Sequence, residues 1–181
     1  MVRALSRRGI ETDVRATLPA WASGRRRAGF QALKGADGVT LGFARARSHV
    51  IEPIASCHVL APALAARLDD LRALAASLAP IGKPVVLHAT ATETGLDIDL
   101  RGGPPLAKLD RGRREQLSRL AETLDLARLS LDGAAAIERR APVLAIGKAR
   151  VAPPPGAFLQ PTISGEQALQ ARVLAGVGKA T

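Results

Sequence analysis

Leucines recur at helical spacing between positions 62 and 80. Leu64, Leu68, Leu71, Leu74 and Leu78 fall on one face, with Arg67, Asp69, Asp70 and Arg72 on the others. Pro62 suits the first turn of such a helix, and Pro80 with Gly82 ends it. A second amphipathic helix is expected over 110–124, with Leu117, Leu120 and Leu124 inward. A third is expected after a cap at Ser164, with Leu169, Val173 and Leu174 apolar. A short helix over 2–8 is closed by Gly9, and 11–24 reads as a loop.

Between the helices the period changes to two. Residues 25–34 and 39–47 form one expected hairpin, turned at Gly35-Ala36-Asp37-Gly38, and 49–54 adds a short extended piece. Residues 84–92 and 96–101 form another hairpin around Glu93-Thr94-Gly95, and LDIDLR alternates apolar and acidic positions to give one polar face. Further short strands are expected over 126–131, 136–140 and 143–146. This order predicts an α+β fold: an antiparallel sheet of hairpins with helices packed on it.

Composition qualifies that picture. Hydrophobic residues make up 47% of the 181-residue chain but aromatics only 2%, so the core is expected to be thin and aliphatic. Pro153-Pro154-Pro155-Gly156 cannot continue a sheet and marks an expected boundary between domains 1–152 and 153–181. No apolar run approaches the roughly 20 residues of a membrane span, and the N-terminus has no signal-peptide apolar core. One cysteine excludes an internal disulfide and makes the cytoplasm the default setting.

Charge points to a partner. The net charge is +10, and residues 1–50 hold 10 Lys/Arg against 3 Asp/Glu, an excess of +7. Such asymmetry fits a polyanion, most simply nucleic acid; a general preference for arginine gives the same count. Arg25, Arg26 and Arg27 precede one strand, and Arg45 and Arg47 lie on its hairpin partner. Guanidinium groups bind phosphate bidentately, so the cluster reads as a backbone contact or as a solvated basic face. Phe30 and Phe43 lie nearby, where strand alternation can bury both. His88, inside an apolar strand, reads as a core residue. Cys57-His58 is not spaced as a metal pair. No HExxH, GxSxG or paired CxxC occurs, and the tail 176–181 lacks the first glycine and the Lys-Thr adjacency of a phosphate loop.

The segment around Phe158 and Gln160 carries a second candidate. If it is extended, both side chains point to one side. A ring that stacks and an amide that both donates and accepts suit an unstacked base. Equally, Phe158 can plug the seam between sheet and helix, and Gln160 can cap a backbone group.

Four blocks in order, RRRAGF, GFARARSHVIEPIASCHVLAPAL, TATETGLDIDLRG and PPGAFLQPTISGEQAL, resemble the S-adenosylmethionine (SAM)-dependent RNA (uracil-C5)-methyltransferases over roughly residues 2–178. The resemblance implies a central RNA-facing domain followed by the first helix of a Rossmann-like methyltransferase domain, the rest of which is missing from this chain. It implies rRNA or tRNA as partner and SAM as cofactor, used to methylate uracil C5 after a cysteine thiolate attacks C6. No residue here matches that cysteine, its general base or the acidic SAM-binding residue. Arg25–Arg27 match an RNA-contacting strand, and Phe158 and Gln160 match a block beside the target base. Cys57 matches the last of four ligands of a 4Fe–4S cluster; the other three match nothing here, and such a cluster needs four thiolates. The expected function is to bind and position RNA for methylation. A stand-alone basic interaction module without catalysis is the second reading.

Overall fold

The computed structural model of the chain describes residues 2–12, 16–18 and 24–177. The expected loop over 11–24 lies partly outside the described residues, as does the tail from 178 onward. A short helix α1 (Val2–Ser6) comes first. The hairpin β1 (Arg27–Gly35) and β2 (Gly38–Ala44) follows as expected, with Gly35 facing Gly38 across the turn. Strand β3 (Ile51–Pro53) adds to β2. Gly42 is required there, because a Cβ at this position would lie 1.8 Å from the Glu52 carbonyl oxygen.

The expected long helix is broken into α2 (Pro62–Ala65) and α3 (Leu68–Leu78). Arg67 leaves helical geometry at φ −113°, ψ 15°, and its guanidinium bonds Asp70 and the Leu124 carbonyl. The leucine stripe survives the break: Leu64, Leu68, Leu71, Leu74 and Leu78 are all buried.

Next come β4 (Pro84–Thr92), β5 (Gly95–Arg101), α4 (Arg111–Thr123) and β6 (Leu126–Leu131), with Asp110 Oδ1 capping α4 by accepting from the Arg113 amide at 2.7 Å. Strand β7 (Ala134–Glu138) completes a seven-stranded sheet ordered β3-β2-β1-β4-β5-β6-β7. The sheet is mostly antiparallel, as expected, but β5 and β6 are parallel. A helix joins them, and parallel neighbours need such a crossover where β4 and β5 need only a tight turn. The last expected strand belongs elsewhere: β8 (Leu144–Ile146) pairs with an unexpected β9 (Ala149–Val151) in a separate two-stranded ribbon.

Helices α2, α3 and α4 pack on one face of the sheet. Phe30, Leu87, Ile98, Leu100 and Leu129 from the strands meet Leu64, Leu71, Leu74 and Leu117 there, all essentially inaccessible. Phe30 is buried, and Phe43 is half-buried with its ring centroid 5.3 Å away.

The other face is polar, and part of it is closed. Register aligns Arg27, Thr90, Asp97, Arg128 and Glu138 in one row, and Gly29, His88, Asp99 and Ser130 in the next. The acidic positions of LDIDLR therefore do not face water: Asp97 is 5% exposed and Asp99 1%. His88 also lies on this face rather than in the apolar core, half-buried opposite Gly29. Residues 153–161 run back against this face, a strap that leads into α5 (Ile163–Val177). Thr162, not Ser164, caps α5: its Oγ1 accepts from the Gly165 amide at 3.1 Å and its carbonyl from the Glu166 amide at 3.1 Å. Pro161 fixes the approach, so the hydroxyl that reaches the first turn comes two residues earlier. Among the described residues no helix is long and apolar enough to cross a membrane.

Candidate nucleic-acid interface

Strand alternation and the strap divide the arginine triplet. Arg25 stands before β1 and is exposed. Its backbone is fixed, donating to the Val59 carbonyl at 2.9 Å and accepting from the Ala61 amide at 2.8 Å. Arg26 is 6% exposed and ion-paired with Glu166 of α5. Its amide donates to the Pro161 carbonyl at 2.8 Å, and its carbonyl accepts from Ala91 at 2.7 Å. Arg27 is half-buried and donates through Nη2 to the Gly156 carbonyl at 3.2 Å.

The other two, expected on the hairpin's second strand, lie just beyond it, because β2 ends at Ala44 and the chain turns there. Arg45 Nε donates to Glu52 at 2.6 Å in an exposed pair. Arg47 lies in the loop after β2 with φ 55°, exposed, and the loop is closed by Arg45 and Ser48. Because β1 and β2 are antiparallel, Arg25 and Arg47 flank the same end of the hairpin, opposite its turn. No side-chain partner of either is found among the described residues. These two guanidinium groups are open to an anion; the Arg26 group is enclosed.

Phe158 and Gln160 sit on the strap. Phe158 is 80% exposed, so it does not plug the seam between sheet and helix. Leu159 is buried and Gln160 half-buried, the alternation that extended backbone gives. The Gln160 amide caps no backbone group among the described residues. It lines an open groove of about 510 Å³ with Ile146, Gly147, Leu169 and Val173, between the β8–β9 ribbon and α5. Leu169, Val173 and Leu174 are 51%, 62% and 72% exposed, so the apolar side of α5 is uncovered.

Beneath the strap lies a polar knot not foreseen as a unit. Arg128 grips Asp97 with two bonds, Nε to Oδ1 at 2.9 Å and Nη2 to Oδ2 at 2.8 Å, and also donates to the Pro153 carbonyl at 2.8 Å. Asp99 accepts from the Gly133 amide at 2.9 Å and from Arg101 Nε at 2.5 Å. The signal was present in LDIDLR and LARLSL, whose polar residues alternate on two adjacent strands. His88 Nδ1 is buried without a partner, and burial, reinforced by the Arg27 charge, holds the imidazole below its ordinary pKa.

Cys57 is half-buried in the loop before α2, packed against the core. It is the sole cysteine of the sequence, and no group of three or more His, Cys, Asp or Glu suited to a metal occurs among the described residues. One thiolate does not fit a 4Fe–4S cluster.

No family model matches the chain. Curated relatives do. A protein of Brucella suis biovar 1 is 44% identical over 180 residues, covering 99% of this chain and 43% of the relative. A Rhizobium meliloti protein is 34% identical over the same length and covers the same shares of both chains. One from Caulobacter vibrioides is 37% identical over 169 residues, 91% of this chain and 41% of the relative. All three are named uncharacterized RNA methyltransferases. The chain thus spans less than half the length of the curated relatives it matches.

Proposed function

We propose that this chain is the RNA-facing part of an RNA (uracil-C5)-methyltransferase. Residues 1–152 bind and position rRNA or tRNA, and 153–181 open a Rossmann-like domain that takes SAM. Similarity to proteins named RNA methyltransferases supports the class of reaction. The observation that carries the reading within this chain is the pair of strap residues: an aromatic ring 80% exposed, followed two positions later by an amide without a partner among the described residues. Base stacking on Phe158 and edge pairing by Gln160 use both features. Arg25 and Arg47 supply phosphate contacts at the open end of the first hairpin, with Arg45 beside them. When bound, SAM supplies the methyl group; the residues of this chain hold the RNA.

The test uses the full-length protein containing this chain. Incubation with SAM carrying a labelled methyl group and with transcribed rRNA and tRNA, followed by nucleoside mass spectrometry, is expected to show 5-methyluridine. Methylation of another base overturns the uracil assignment, and no transfer to any RNA overturns the class. The cytoplasm is the expected site of action, where both RNA classes are made.

A further inference from the structure

Four of the nine residues in 153–161 are proline, at 153, 154, 155 and 161. Proline offers no N–H, so the strap cannot join the sheet as a paired strand. It is nevertheless fixed at points along its length, by donors on β1 and β6 and at Arg26 just before β1. Arg128 Nη2 holds the Pro153 carbonyl at 2.8 Å. Arg27 Nη2 holds the Gly156 carbonyl at 3.2 Å. The Arg26 amide holds the Pro161 carbonyl at 2.8 Å, and its guanidinium holds Glu166 one turn into α5. Gly156 turns the strap at φ 68° directly over Asp99 and Arg101; a Cβ there would lie 2.7 Å from Asp99 Oδ2.

These contacts fall on both sides of Phe158. A phenylalanine that is 80% exposed gains little from the fold, yet its neighbours are anchored before it at Gly156 and after it at Pro161. Two of the three guanidinium charges are already matched inside the protein, Arg26 by Glu166 and Arg128 by Asp97.

We infer that Arg26, Arg27 and Arg128 form a guanidinium clamp that positions the strap and presents Phe158 as a pre-ordered stacking platform, rather than a set of phosphate contacts. The inference rests on the RNA reading for the platform's partner, but the clamp itself does not. Pre-ordering raises affinity by removing the entropy lost when a mobile side chain is fixed on binding. It adds no counterion release, because a guanidinium engaged with the strap neutralises no phosphate. Clamp residues and phosphate contacts therefore differ in one measurable respect: loss of a clamp residue lowers affinity without changing salt dependence.

The test uses the 181-residue chain with Trp21→Phe and Phe158→Trp, so that a single tryptophan reports on the strap. Three quantities are read: tryptophan anisotropy without RNA, amide exchange of 153–166 by mass spectrometry, and quenching titrations with a 12-mer oligouridylate across salt. Arg27→Gln and Arg26→Gln are expected to lower the anisotropy and speed exchange in the strap. Affinity falls about threefold to tenfold, at an unchanged slope of log K against log salt. Arg27→Lys, which keeps a donor for Gly156, recovers most of the loss. Arg25→Gln does the reverse, flattening the slope by about 0.7 and leaving the strap as it was. Arg27 is half-buried, so Arg27→Gln carries the test if Arg26→Gln fails to fold. Unchanged strap exchange and anisotropy in Arg27→Gln overturns the clamp, as does a flattened slope in that variant. If the parent chain binds no oligouridylate, the RNA reading fails, while exchange and anisotropy still decide the clamp.

Discussion

Arg128 and Asp97 face each other on neighbouring parallel strands, and Arg128 donates two hydrogen bonds to the Asp97 carboxylate, at 2.9 and 2.8 Å, with 6% of each side chain exposed. The pair lies under the strap, and the third Arg128 contact reaches it. Removing one partner leaves a buried charge without compensation. Arg128→Met is therefore expected to destabilise the chain by about 3–5 kcal/mol. Replacing both, Asp97→Leu with Arg128→Met, is expected to recover most of that loss, since the uncompensated carboxylate is gone. Urea denaturation of the single and double variants checks this; equal losses in both contradict it.

Gly42→Ala tests the approach of β2 to β3. The added methyl would meet the Glu52 backbone 1.8 Å away, and backbone cannot yield as a flexible side chain does. A loss of about 3 kcal/mol is expected, at the upper end for overpacking. The loop bearing Arg47 connects these strands, so its amide exchange rises as well. By contrast Gly176→Ala, with open space around it late in α5, is expected to be neutral or stabilising by up to about 1 kcal/mol.

What the sequence discloses depends on how far away the deciding partner lies. The leucines from Leu64 to Leu78 are legible because helix periodicity is local, and it survives the break at Arg67. The hairpin at Gly35–Gly38 is legible for the same reason. Asp97 and Asp99 are not: alternation with Leu96, Ile98 and Leu100 reads alike whether the acids meet water or arginine. Their surroundings are set by Arg128 on another strand and by a strap more than fifty residues downstream. Arg25, Arg26 and Arg27 look like one basic cluster, yet only Arg25 is left open, because Glu166 and Gly156 claim the other two. The parallel pairing of β5 with β6 is also a consequence of the crossover by α4, which a list of strands does not reveal.

His88 gives a pH dependence. Burial and the Arg27 charge lower its folded pKa below the ordinary value of about 6.5. The unfolded chain then binds more protons as pH falls from 6.5 toward the folded value, so stability drops over that window and is fully present above it. The urea midpoint of the wild type is expected to fall between pH 7 and 5 by more than that of His88→Gln. Parallel profiles for the two proteins would mean that the imidazole does not sense the fold.

The strap residues separate stability from function most sharply. Phe158 is 80% exposed, so Phe158→Ala removes almost no buried surface, and a change within about 0.5 kcal/mol is expected on urea denaturation. If the ring stacks on a base, the same substitution weakens single-stranded RNA binding by about 1–3 kcal/mol. Gln160 lines the groove beside α5 and has no side-chain partner among the described residues, so Gln160→Ala also leaves the melting temperature nearly unchanged. Its effect belongs to the chemistry of the whole protein. An amide that pairs with a uracil edge orients one base among many, so its loss lowers methylation of the target uridine far more than overall RNA affinity. Measuring turnover and RNA affinity for both variants in the full-length protein gives a pattern that packing roles cannot produce: affinity lost at Phe158, turnover lost at Gln160, stability lost at neither. Loss of stability with turnover spared in Gln160→Ala would assign that amide to structure.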